Sequence, residues 1–296
     1  LSLIPLRTAC VPREDVLQGG LADNHFAAQL DKVVRDAEHY PVYGDAEAFF
    51  AQTYPTSGLK TLLTKTFGRI TGAKGVAGEN GVLRPTTSFG GGKTHGLTAV
   101  YHLAGGARPA NIAEFIDPSL LPDGAVQVAA LVGDALDPTA GVDTDGHRTY
   151  TLWGEMAAQI GDNAFSVMAA NDAERTAPGT GTTKAAFGGR PTIGIVDEIA
   201  KYLRAVSSSG SEDVRRMARA IPVFLGNLFE VASDPTNRVS VIITLAATTN
   251  AFGAETTEIS DLTGDEKERA DAANAASVKA AEETGDVLTR AVQPSA

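Results

Sequence analysis

Thr87-Ser88-Phe89-Gly90-Gly91-Gly92-Lys93-Thr94 is the stretch on which the reading of this chain turns. Three consecutive glycines keep side chains out of the way, so backbone N–H groups can curl around an anion. A helix beginning near Lys93 would add its positive end to the same point. The octet fits the phosphate-loop pattern G-x-x-x-x-G-K-[ST] at every fixed position except the first, where Thr87 replaces Gly. In that pattern Lys93 reaches the β- and γ-phosphates and the Thr94 hydroxyl takes one magnesium position. Ser88, Phe89, Gly90, Gly91, Gly92 and His95 complete the expected nucleotide-binding set. A glycine turn capping an ordinary helix would have the same sequence, so a second motif is required.

Ile193-Gly194-Ile195-Val196-Asp197-Glu198 supplies it. An apolar strand that delivers two acidic residues at its carboxyl end is the Walker B pattern, and ligands of parallel sheets gather at that edge. Asp197 is then placed to meet a magnesium ion held by Thr94, and Glu198 to orient or deprotonate an attacking water. Taken alone, both carboxylates could instead cap the following helix.

Strand candidates at Gly81–Thr86, Ala125–Val132, Thr192–Val196 and Val239–Leu245 alternate with helix candidates at Lys93–Leu103, Tyr150–Ile160, Ile199–Val206 and Glu212–Val231. Such alternation predicts an α/β fold with a parallel sheet and crossover helices. Ala125–Val132 lies between the two motifs. This favours a P-loop NTPase of the RecA/AAA-like branch, with an inserted strand between the Walker A and Walker B strands and a catalytic glutamate. After the last strand, Thr248 and Asn250 are candidates to sense the γ-phosphate, with ordinary turn chemistry as the alternative. Ser209 and Glu212 form a possible capping box, and Pro222 is expected to kink its helix. Asn171 to Arg190 reads as a surface loop, within which Gly179-Thr180-Gly181-Thr182-Thr183-Lys184 imitates a phosphate loop without a strand before it.

The expected organisation is a helical N-terminal region over 1–80, an ATPase core over 81–257 and an acidic, Ala-rich helical segment over 258–296. The N-terminal helices fit His25–Arg35 behind Asp23 or Asn24, Asp45–Gln52 and Thr56–Ile70. Tyr40, Tyr43, Phe49, Phe50 and Tyr54 around them could bind a base or form core. Arg215, Arg216 and Arg219 could include an arginine finger or line a solvated face. Asp134 and Asp137 fit either a turn or the site, and His95 either the nucleotide or the surface of a first helical turn.

Composition narrows the remaining classes. With 25 Lys and Arg against 36 Asp and Glu, the net charge of −11 argues against a nonspecific nucleic-acid coat. Cys10 is the only cysteine, so no intrachain disulfide framework is expected. No apolar run reaches the roughly 20 residues of a membrane span, which predicts a cytoplasmic protein without a membrane partner. The missing initiator Met and the abrupt end at Ala296 suggest a piece of something longer.

Five stretches together carry a resemblance. They are Cys10-Val11-Pro12-Arg13-Glu14-Asp15-Val16-Leu17, Tyr54-Pro55-Thr56, Thr87 to His95, Thr151-Leu152-Trp153-Gly154-Glu155 and Asp197-Glu198-Ile199-Ala200-Lys201-Tyr202-Leu203. In them the chain resembles a family of large prokaryotic AAA-like ATPases catalogued as domain of unknown function 499, whose members use Thr at the first loop position. The resemblance implies ATP and Mg2+ as ligands and a possible homo-oligomer. It also implies a setting beside DNA methyltransferases and helicases, with DNA as a possible partner and phage defence as a role. The expected function is Mg-dependent ATP hydrolysis. The alternative is a nucleotide-gated switch or scaffold that binds ATP with little turnover and recruits partner enzymes.

Overall fold

The computed structural model describes residues 28–73, 81–85 and 92–244. At its centre is a parallel sheet of β1 (Val82–Leu83), β2 (Gln127–Val132), β5 (Thr192–Asp197) and β6 (Val239–Ile243), in the order β1-β6-β5-β2. β2 is in register with β5 from Gln127↔Thr192 to Val132↔Asp197, and β5 with β6 from Thr192↔Val239 to Val196↔Ile243. The alternating strands and helices therefore give the expected α/β architecture. The spatial order corrects one detail, because the strand lying between β1 and β5 is β6. Ala125–Val132, inserted in sequence, instead forms β2 beyond β5, the outer strand among the described residues.

Both faces of the sheet are covered, which is why its strands are nearly continuous apolar runs. Ala130, Val132, Ile193, Ile195 and Ile242 point to one face. There they pack with α1 (Leu30–Arg35), α2 (Pro41–Gly44), α3 (Ala46–Ala51), α4 (Ser57–Thr71) and α5 (Lys93–Ala104). Ala129, Leu131, Val196, Val241 and Ile243 point to the other. Their partners are α6 (Leu152–Ile160), α7 (Asp162–Glu174), α8 (Thr180–Phe187), α9 (Ile199–Ser208) and α10 (Glu212–Ser233). The helices of 28–73 thus share one apolar core with α5 and the sheet. Arg69 of α4, buried, reinforces the union by donating to the carbonyls of Ala232 and Asp234, each at 2.7 Å, where α10 ends.

Local chemistry accounts for most boundaries. Asp45 accepts from Ala48 N–H to start α3, Thr56 accepts from Leu59 N–H to start α4, and Gly72 closes α4 in the left-handed region. Three expectations need correction. α1 begins at Leu30 behind an extended Gln29, and His25 together with the proposed caps Asp23 and Asn24 lies outside the described residues. The cap of α10 is Ser211, which accepts from Val214 N–H, while the Ser209 hydroxyl accepts from Ser211 N–H. Asn171 to Arg190 is mostly helical, holding the end of α7 and all of α8. Its Gly-Thr composition is overridden by burial of Thr183, Ala186 and Phe187 and by Thr180, whose hydroxyl donates to Glu230 at 3.0 Å. Pro222 is accommodated inside α10, which runs unbroken from Glu212 to Ser233.

An unanticipated hairpin, β3 (Val142–Thr144) and β4 (His147–Thr149), turns at Asp145-Gly146, where both residues have positive φ. It leads into Thr151-Leu152-Trp153-Gly154-Glu155, and each polar residue of that stretch has a structural task. The Thr151 hydroxyl accepts from Gly154 N–H and donates to Asp172 at 2.6 Å; the buried Asp172 also accepts from Thr151 N–H at 2.9 Å. Burial raises the Asp172 carboxyl above its ordinary pKa. Gly154 lies so close to that carboxylate that any Cβ would overlap it. Glu155, with 0% exposure, is bound by Arg35 at 2.7 Å, by the hydroxyls of Thr144 and Thr149 and by Gln159. The Gln159 amide also clasps Ala130 of β2, accepting from its N–H at 2.7 Å and donating to its carbonyl at 3.0 Å.

Gly154→Ala is expected to lower stability by about 1–3 kcal/mol in thermal melts, because Asp172 is fixed by its donors and cannot retreat; an unchanged midpoint would contradict this packing. His102, whose Nε2 lies 2.6 Å from the Tyr43 carbonyl, has its pKa lowered by burial. Its contribution to stability is therefore complete above the unfolded value of about 6.5 and is lost as pH falls through the lower folded value. The urea midpoint should drop between about pH 7.5 and 5.5, and less steeply in His102→Gln. An identical drop in the variant would remove His102 from the cause.

Candidate functional site

The carboxyl ends of β5 and β6 and the first turn of α5 converge on Asp197. This side chain closes β5 and is 3% exposed, so its carboxylate requires donors from the protein. The Thr94 hydroxyl donates to Oδ2 at 3.2 Å. On the opposite side Thr244, immediately after β6, donates its hydroxyl to Oδ1, and Glu198 N–H reaches the same oxygen at 3.1 Å. Residues separated by 103 positions, Thr94 and Asp197, are thus brought together. In the sequence Thr244 sits inside an apolar strand run and belongs to neither motif. The signal available was a hydroxyl at the ligand edge of a buried strand.

Gly92 precedes α5 with φ 74°, and Lys93 opens the helix. Ser88, Phe89, Gly90 and Gly91 lie outside the described residues, as do Thr248 and Asn250. His95 does not lie on the open surface of the first helical turn. It is half-buried, its ring 4.5 Å from that of Phe49, and its Nε2 is 2.8 Å from the Thr53 hydroxyl. Burial lowers its pKa from the ordinary value. Tyr40, Tyr43, Phe49 and Phe50 are core residues beneath it, whereas Tyr54 is exposed.

Glu198 stands at the junction of β5 and α9 with φ 53°, a left-handed conformation that a non-glycine residue adopts only when its surroundings impose it. The surroundings include Gly133, just beyond β2, where an added Cβ would overlap the Glu198 carbonyl. The carboxylate itself is 48% exposed and lies 3.6 Å from Lys201 Nζ, which also binds Asp134 at 3.1 Å. That pairing raises the Lys201 pKa. Asp137 instead accepts from the N–H groups of Thr139 and Ala140, each at 2.8 Å, which is a turn role. A cavity of about 690 Å³ beside these carboxylates is lined by Asp134, Asp137, Ser209 and Ser211 among others. Arg215, Arg216 and Arg219 lie on the exposed face of α10, with Arg216 paired to Asp213 at 2.7 Å.

The fold and these contacts define an α/β protein with a buried carboxylate and two hydroxyls gathered at the carboxyl edge of a parallel sheet. A model of the DUF499 N-terminal domain matches residues 6–261, and the chain belongs to that family. Comparison with curated proteins and with solved structures yields no match. Among the described residues no helix is long and apolar enough to cross a membrane, and no three His, Cys, Asp or Glu side chains form a metal cluster.

Thr244→Val, which keeps the side-chain shape and removes the hydroxyl, should cost about 1.5–3 kcal/mol in urea denaturation, the range for a hydrogen bond to a charged group. A cost near zero would mean that Asp197 does not depend on this donor.

Proposed function

We propose that the chain is a P-loop NTPase core of the RecA/AAA-like kind that binds ATP with Mg2+ and hydrolyses it. The observation that carries this reading is the Thr94–Asp197 contact of 3.2 Å at the carboxyl edge of the sheet. The strand order supports it as well, since β6 separates the strand before the glycine loop from the strand bearing Asp197. A hydroxyl and a carboxylate are hard oxygen donors, and Mg2+ is typically held by one or two such groups together with substrate phosphates. Thr94 and Asp197 would hold the ion, whose charge would offset that on the phosphates. A cluster of protein carboxylates is not needed for that purpose.

In this reading Lys93 and the backbone of the glycine loop bind the β- and γ-phosphates, and α5 directs its positive end at them. Glu198 positions water for attack on the γ-phosphorus. Thr248 and Asn250 follow β6 and Thr244 in sequence and remain the proposed sensors of the γ-phosphate. Cytoplasmic work on DNA, with methyltransferase or helicase partners in phage defence and with a homo-oligomer as the working form, is proposed from the family resemblance.

One observation favours a second reading, a nucleotide-gated switch or scaffold with little turnover. The Glu198 carboxylate lies beside Lys201, which in turn is anchored to Asp134, and this arrangement draws the glutamate toward the outer strand.

Calorimetry with Mg2+ and ATP followed by a phosphate-release assay separates these possibilities. Lys93→Ala is expected to abolish ATP binding, whereas Glu198→Gln should retain ATP and lose turnover. Undiminished ATP affinity in Lys93→Ala would overturn the phosphate-loop assignment. Binding without turnover in the unaltered protein would select the switch.

A further inference from the structure

The aromatic residues of the N-terminal helices divide sharply. Tyr40, Tyr43, Phe49 and Phe50 are buried in the core shared with α5, whereas Tyr54 is 80% exposed. Among the described residues the other exposed large hydrophobic side chains are Val167 and Val223, on α7 and α10 across the sheet. Tyr54 is therefore the aromatic ring left uncovered on the α5 side.

Its backbone is fixed next to the first turn of α5. Thr53, the preceding residue, donates its hydroxyl to the Phe49 carbonyl at 2.6 Å, so the His95 Nε2–H donates to that hydroxyl oxygen at 2.8 Å. His95 directly follows Thr94, the residue in contact with Asp197. On the other side Thr56 N–H donates to the Tyr54 carbonyl at 2.9 Å, and the Thr56 hydroxyl caps α4. The intervening Pro55 restricts Tyr54 to extended conformations. α4 leans on α5 at Gly96, where a Cβ would stand 3.2 Å from Leu62. The segment 53–56 is thus tied to the first turn of α5 through Thr53 and leads into α4, which packs on the same helix, while the Tyr54 ring is exposed. An exposed aromatic ring on a backbone held near a phosphate site is suited to the flat face of a base.

We propose that Tyr54 is the base-stacking residue of the nucleotide site, held beside Thr94 through the Thr53–His95 hydrogen bond. The inference rests on the ATP-binding reading above, and it assigns the purine end of the ligand to the segment that joins α3 and α4. Stacking is insensitive to the base edge, so Tyr54 supplies affinity for a purine and not discrimination between ATP and GTP.

The test is calorimetric titration of the chain and of its Tyr54→Ala and Tyr54→Phe variants with Mg2+-ATP and, separately, Mg2+-tripolyphosphate, which has no base. Tyr54→Ala should weaken ATP by about tenfold and leave tripolyphosphate unchanged, while Tyr54→Phe retains ATP affinity. Unaltered ATP affinity in Tyr54→Ala, or an equal loss for both ligands, would overturn the stacking role and leave the phosphate site standing. Failure of the unaltered chain to bind either ligand would overturn the nucleotide site and the base platform together.

Discussion

A carboxylate buried to 3% exposure cannot remain ionised in a protein interior without donors aimed at it, and Asp197 is that carboxylate here. Its requirement reaches three parts of the chain. The first turn of α5 sends Thr94, the end of β6 sends Thr244, and the backbone of Glu198 folds back from the next residue. Removing any one element would leave a buried charge short of a partner. The positions of β6 between β1 and β5 and of α5 over the sheet therefore serve the stability of the strand end as much as any ligand. A site built in this way is preorganised, because its oxygen atoms are already oriented by their mutual hydrogen bonds.

A second buried charge holds the periphery. Glu155 gathers Arg35 from the first described helix, Thr144 and Thr149 from the two strands of the hairpin, and Gln159 from its own helix. Breaking such a cluster by removing one member costs far more than a surface pair would, since the charge left behind has no water to turn to. The arrangement couples elements that apolar contact alone would leave free to slide. It also explains the polar letters embedded in an otherwise apolar helix from Leu152 to Ile160.

The sequence made the sheet legible because its strands are bounded apolar runs and its helices carry stripes and caps. Thr56 and Gly72 delimit α4 in both the pattern and the structure. What stayed hidden depended on tertiary partners. α8 has a composition that reads as a loop, and it becomes helical where Phe187 is buried against the core and Thr180 meets Glu230. The hairpin at Asp145-Gly146 stayed hidden because its strands are only three residues each, too short to declare themselves by alternation. Asp197 and Thr94 could be paired by motif chemistry, whereas Thr244 required the strand order, since nothing in an apolar run says which neighbour its last hydroxyl will face. The aromatic group was legible only as a group. Burial separates its four core members from Tyr54.

The amide of Gln159 has an effect beyond its own helix. β2 is an outer strand among the described residues, and outer strands expose a template on which foreign backbone can pair. At Ala130, in mid-strand, donor and acceptor are both already engaged by that single side chain. An extended segment arriving there would have to displace an amide that is itself held by Glu155 before it could add a ladder. Pairing of foreign main chain with β2 is thereby opposed at its centre, by one side chain that answers both groups of Ala130.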